Sequence, residues 1–160
     1  MWKSSEADVK NMSTLRIPPP ILAALYLLTG LGLHYLFPHT RIITSPHRFL
    51  GIAILGTGIF LTGWAFRLCK KKGTTRNPYG TPTAVVATGP FHFSRNPMYL
   101  GVSLVLLGVA IFVGTVPVFL APLAFFFTMN AVFIPREEKT LERIFGQEYL
   151  DYKHRVRRWL

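Results

Sequence analysis

Four side chains in this sequence have the types and spacing to build a charged site. Arg95 and Asn96 stand in "FHFSRNPMYLG" (91–101), and Glu137 and Glu138 in "PREEKTLERIF" (135–145). Arginine offers a planar fork suited to a carboxylate or phosphate. Asn96-Pro97 reads as a helix start, with Asn as N-cap and Pro at the first helical position. Such an N-terminus adds free N–H groups and the positive end of a dipole, which together favour an anion. The glutamates follow Pro135, in the first turn of a helix that Pro135 would open, where acids are favoured. Adjacent helical residues point about 100° apart, so one Glu could face a ligand while the other pairs with a base. Taken singly, Arg95 needs no more than an anchoring role and the glutamates no more than a capping one. The elements between them change that reading.

Residues 97–134 carry no charge. They are too many for one membrane crossing, which needs roughly 20 residues. The run splits at "GTVP" (114–117), where Gly ends one helix and Pro117 opens the next. The resulting hairpin returns the chain to the side it left, so the arginine and the glutamates can meet at one membrane depth. Two earlier apolar runs complete an all-α, polytopic membrane protein of about four spans, at 19–37, 49–69, 97–115 and 117–134, in a single domain over 1–160. Glycines within the spans would let helices approach closely.

Composition agrees. Half the residues are apolar and 16% are charged, with 18 Lys/Arg against 7 Asp/Glu, a net charge of +11. The basic residues cluster between apolar runs instead of covering a soluble face, which argues against nucleic acid and for the cytoplasmic side of a membrane protein. The single cysteine, Cys69, excludes an internal disulfide framework and a Cys-based zinc site, and no metal cluster of Asp and His is visible. Residues 1–16 lack the pattern of a cleavable signal peptide. Sixteen of the 18 basic residues place both termini, the loop 70–96 and the tail 135–160 in the cytoplasm. In the tail, Leu141, Ile144, Phe145, Tyr149, Tyr152, Val156 and Trp159 recur at helical spacing and predict an amphipathic helix, bent or split at Gly146. Lys70-Lys71-Lys72 reads as a topology determinant and anionic-lipid anchor. Cys69 beside it reads as an inert thiol more readily than a palmitoylation site, and His34 as a hydrogen-bonding group inside the bundle. "RNPYG" (76–80) is a turn that could flap over the site, and Trp2 and Trp159 read as interfacial anchors.

The stretch "GPFHFSRNPMYLG", an apolar hairpin, then "REEKTLERIFGQEYLDYKHRVRRW" resembles the isoprenylcysteine carboxyl methyltransferase and phospholipid methyltransferase superfamily over 88–158. Asn96 stands where the family pattern has His, which removes any role needing an imidazole base. The resemblance implies S-adenosylmethionine in a cytoplasm-facing pocket roofed by the tail, with a lipophilic or lipid-modified acceptor arriving from the bilayer. It implies cofactor contacts from Gly89 and Pro90 in the loop, from Arg95, Asn96 and Tyr99 at the start of the third span, and from Gly101 by close backbone approach. Glu137 and Glu138 would take the ribose hydroxyls or the amino group, and Tyr149, Tyr152 and Arg155 would close the pocket. Arg95, Glu138 and Tyr99 are the expected catalytic residues. A carboxyl or thiol acceptor needs alignment in a dry pocket and no strong base. A phospholipid amine, the second acceptor class, must lose a proton, for which Glu138 or Tyr99 would serve. An NADPH-dependent membrane reductase and a non-enzymatic membrane adaptor are the competing readings.

Overall fold

The computed structural model describes residues 17–37, 41–74 and 82–160. Trp2 and the "RNPYG" turn lie outside them. Helix α1 (Pro19–Leu36) opens on consecutive prolines, whose fixed φ suits a first helical turn. A 3₁₀ turn (His47–Phe49) leads into α2 (Leu50–Lys71). A second 3₁₀ turn (Gly89–His92) precedes α3 (Pro97–Val113). Then come α4 (Val116–Thr128), a π-helical segment (Met129–Phe133), α5 (Ile134–Phe145) and α6 (Gln147–Arg155). No named strand occurs among the described residues. The helical runs Pro19–Leu36, His47–Lys71 and Val116–Phe145 are long and apolar enough to cross a membrane, and Pro97–Val113 is equally apolar but shorter. Their outer faces bear large apolar side chains such as Leu28, Phe60 and Phe127, each more than 60% exposed. A contiguous apolar exterior of this kind suits lipid and not water.

The hairpin forms as its punctuation predicts. Gly114 ends α3 in the left-handed region (φ +76°), and its carbonyl accepts the amides of Ile42 and Ile43. That pairing ties the α1–α2 connection to the hairpin turn. A Cβ on Gly114 would lie 2.3 Å from the Ile43 carbonyl oxygen, so both conformation and space demand glycine.

Helices α2 and α3 run antiparallel with their backbones in contact. Gly51 faces Gly108 and Gly58 faces Gly101, and a Cβ on any of the four would come within 2.2–2.6 Å of the neighbouring helix. The two pairs are seven residues apart on each helix, two turns, so they share one seam. Helix α4 packs on α3 and α1 packs on α4. The core between them gathers Leu22, Leu106, Phe125, Met129, Phe133 and Ile134, and Tyr26 Oη and Thr128 Oγ1 share a hydrogen bond of 2.9 Å. His34 Nδ1 meets Thr115 Oγ1 at 3.1 Å, inside the bundle as expected.

Pro135 does not open a separate helix. The chain from Val116 to Phe145 is one continuous helical run, because the π segment just before Pro135 accommodates a residue with no N–H to donate. The tail helix splits at Gly146, as expected. Gly146 (φ +53°) separates α5 from α6, and Val156 leaves helical geometry (φ −121°, ψ 132°). Tyr149, Tyr152 and Val156 bury themselves against Val85, Ala87, Leu141 and Phe145, whereas Ile144 is exposed. Trp159 stacks on Phe126 at 4.7 Å between ring centroids instead of anchoring at an interface.

Candidate functional site

A cavity of about 380 Å³ opens where the start of α3, the start of α5 and the middle of α6 converge. The cavity is walled by Pro19 of α1, Thr62, Phe66 and Cys69 of α2, and the segment before α3 through Val85 and Phe91. Cys69 is buried in this wall, whereas Lys70, Lys71 and Lys72 are exposed. Charge enters the cavity from the turn just before α3, through Arg95, and from α5, through Glu137 and Glu138.

The hairpin brings the predicted residues together. Arg95 Nη1 lies 3.0 Å from Glu138 Oε1, with side chains 9% and 7% exposed. This is ion-pair distance without hydrogen-bond alignment, and both Arg95 Nη1 and Nε are buried with no hydrogen-bond acceptor. Burying such donors unmet is costly unless a ligand satisfies them. Glu138 also takes Arg158, whose Nε and Nη2 reach Oε1 and Oε2 at 3.1 and 2.8 Å. This is the fork geometry expected of guanidinium and carboxylate. Glu137 points elsewhere and accepts a 2.5 Å hydrogen bond from Tyr99 Oη. The adjacent glutamates thus differ in partner, Glu138 being paired with bases and Glu137 hydrogen-bonded by Tyr99, and both line the cavity.

Asn96 occupies the N-cap position without a side-chain cap. Its Nδ2 donates instead to the Arg158 carbonyl (3.0 Å), and its own amide is held by Ser94 Oγ (3.2 Å). Burial first, and the Glu138 charge second, raise the pKa of Tyr149. Tyr152 Oη donates to the Phe91 carbonyl at 2.7 Å, and burial pushes its pKa up strongly, with Tyr149 adding to the effect. Both phenols stay protonated at neutral pH and line the cavity as neutral groups.

Four residues expected at the cofactor do not line the cavity. Gly101 makes its close approach to α2, not to the cavity: a Cβ there would lie 2.2 Å from Thr62 Oγ1. Gly89 (φ +60°) packs against Trp64 and Leu68, and Pro90 is fully buried, accepting the Ser94 amide. These two shape the loop from behind while Phe91 reaches the wall. Arg155 is exposed, and its Nε bonds the Asp151 carbonyl of its own helix. The guanidinium that does close on the site, Arg158, was missed, as was Asn130, which accepts from Arg158 Nη1 (3.3 Å) and Trp159 Nε1 (3.1 Å). A signal for Asn130 existed: it is the one amide side chain in the uncharged stretch 97–134, where such a group seeks a partner.

Helices long and apolar enough to span a membrane, around a cavity edged by paired charges, place the chain among membrane proteins with a polar cavity beside an apolar exterior. A family model for phospholipid methyltransferases matches residues 46–148, and the chain belongs to that family. An uncharacterised protein of Haemophilus influenzae is 43% identical over 63 residues, 39% of this chain and the whole of that relative. The solved structure of a eukaryotic intramembrane Ras methyltransferase, isoprenylcysteine carboxyl methyltransferase, superposes with a TM-score of 0.62 at 22% identity. That match covers 86% of this chain and 50% of the other, so the chain spans half the length of its structural neighbour. The likeness is one of fold. The superfamily expected from the motif is thereby met, in a membrane-protein fold.

Proposed function

We propose that the chain transfers a methyl group from S-adenosylmethionine to a carboxyl or thiol of a lipophilic acceptor at the cytoplasmic face of the membrane. The observation that carries this reading is Arg95, a buried guanidinium with unmet N–H donors, on the wall of a 380 Å³ cavity that also holds two carboxylates. A ligand carrying both a carboxylate and positive charge suits such walls, which is the fit S-adenosylmethionine requires. When bound, it would supply the methyl group as a sulfonium for in-line displacement.

The chain's own residues have the following roles. Arg95 receives an anionic ligand group through its free donors, with Glu138 holding its plane. Glu137 offers a carboxylate to ribose hydroxyls or an amino group, and Tyr99 orients it. Tyr149 and Tyr152 exclude water as neutral aromatic walls, and Asn96 holds the tail in register. No group is asked to act as a strong base, and alignment in a dry cavity supplies the rate. Family membership favours this over the reductase and adaptor readings.

Binding of labelled S-adenosylmethionine to purified protein in detergent tests the proposal. Wild type binds and S-adenosylhomocysteine competes; Arg95→Ala and Glu138→Ala each lose affinity by about tenfold or more. Unchanged affinity in both variants removes the assignment.

A phospholipid amine is the second reading, favoured by the Glu137–Tyr99 hydrogen bond. Glu138, engaged by two guanidinium groups, is a poor proton acceptor. Glu137 is the better one: an ammonium acceptor would pass its proton to the Glu137 carboxylate before its nitrogen attacks.

A further inference from the structure

Residues 156–160 leave helical geometry and cross the mouth of α3. The Arg157 carbonyl accepts the Arg95 amide at 3.0 Å. The Arg158 carbonyl accepts Asn96 Nδ2 at 3.0 Å and Ser94 Oγ at 3.4 Å. Arg158 then reaches sideways with its guanidinium, taking both oxygens of Glu138 and the Asn130 carbonyl oxygen. Trp159 donates to the same Asn130 oxygen and stacks on Phe126 one helical turn away.

One side chain can span Asn130 and Glu138 because of the π segment. Residues eight apart on an α-helix lie about 80° apart around the axis. The extra residue absorbed by a π turn takes back about 100°, which leaves the two within about 20° of one line. Asn130 lies inside that segment, Met129–Phe133, and Glu138 follows it. π-Bulges occur often at functional sites; here the bulge sets the phase between the apolar half of the helix and its acidic half.

We infer that residues 156–160 form a strap that fixes Glu138 from behind, and that Asn130 is its latch, a positioning residue for the cofactor cavity. The inference deepens the methyl-transfer reading and rests on it. The latch acts by a fixed order of contacts. Asn130 holds Arg158 and Trp159; Arg158 holds the Glu138 carboxylate in plane; Glu138 in turn holds Arg95 with its free donors turned to the cavity. Asn130 itself does not line the cavity, so an effect of its substitution on ligand affinity must pass through this chain.

The experiment compares full-length wild type with Asn130→Leu and Asn130→Asp in detergent. Calorimetry with S-adenosylmethionine, thermal melting, and hydrogen–deuterium exchange of peptides covering 94–97 and 156–160 are measured on each. Asn130→Leu is expected to bind about tenfold more weakly and to exchange faster in both peptides while keeping a cooperative melt. Asn130→Asp keeps an acceptor oxygen and restores both. Should Asn130→Leu fail to fold, Trp159→Phe removes one of the latch's two donors while keeping the stack, with a smaller shift in the same direction. Wild-type affinity and exchange in the Leu variant overturn the inference, and so does an Asp variant that behaves like Leu. Absence of binding by wild type itself instead overturns the methyl-transfer reading, and the exchange arm then decides the strap alone.

Discussion

Glu138 balances two guanidinium groups, Arg95 from one side and Arg158 from the other, while only 7% of its side chain is exposed. Removing one partner of a buried pair costs about 3–5 kcal/mol, because the charge left behind cannot regain water. Glu138→Ala should therefore lower stability by about 3 kcal/mol in a detergent melt, and Glu138→Gln by less, since an amide still accepts hydrogen bonds. Glu137 carries no such burden. Glu137→Gln should melt like wild type and, if the amine reading holds, should cut methylation of phosphatidylethanolamine in a labelled-methyl assay far more than methylation of a carboxyl acceptor, which loses only a cofactor contact. The phenols give a pH dependence of known sign. Tyr149 and Tyr152 have folded pKa values above their ordinary 10.0, chiefly through burial. Their contribution to stability is full below about pH 10 and is lost as pH rises toward the folded values. Melting temperature should fall between pH 9.5 and pH 11, by a smaller amount in Tyr152→Phe. At this scale, the sequence pattern disclosed the arginine and the acids but not their partners. Arg158 and Asn130 lie 28 residues apart, and no local periodicity links them.

Element boundaries were legible wherever backbone chemistry punctuates them. Pro97 opens α3, Gly114 ends it with a positive φ, and Gly146 splits the tail. Illegible was the continuity through Pro135, since proline ordinarily stops a helix, whereas here the run passes both Pro122 and Pro135. The glycine seam was half legible: abundant glycine predicts close helices, but which glycines face inward depends on the pairing of α2 with α3. That difference makes a paired test. Gly58→Ala places a methyl 2.5 Å from the Gly101 carbonyl oxygen, and overpacking of this kind costs about 1–3 kcal/mol. Gly56→Ala meets nothing within 4 Å and should be neutral or stabilising by up to about 1 kcal/mol, as alanine favours helix. Equal melting temperatures for the two variants would rule out the seam.

On the scale of the whole molecule, Lys70, Lys71, Lys72, Lys139 and Arg143 are exposed basic residues, and under the positive-inside rule we propose that the face bearing them is the cytoplasmic one. Single cysteines at Lys139 and Val116 in a Cys69→Ser background test this orientation. A membrane-impermeant maleimide applied to sealed, right-side-out membranes should label the second and spare the first. The seam between α2 and α3 has one more consequence. At the four glycines there is no side chain to yield, so sliding α2 along α3 would drive a neighbouring Cβ into backbone. Helix α1 meets α4 both at Gly30, which faces the backbone of Pro117 and Val118, and through side chains such as Tyr26, and it supplies Pro19 to the cavity wall. A wall built on α2 and α3 leaves little play in the positions of Thr62, Phe66 and Tyr99.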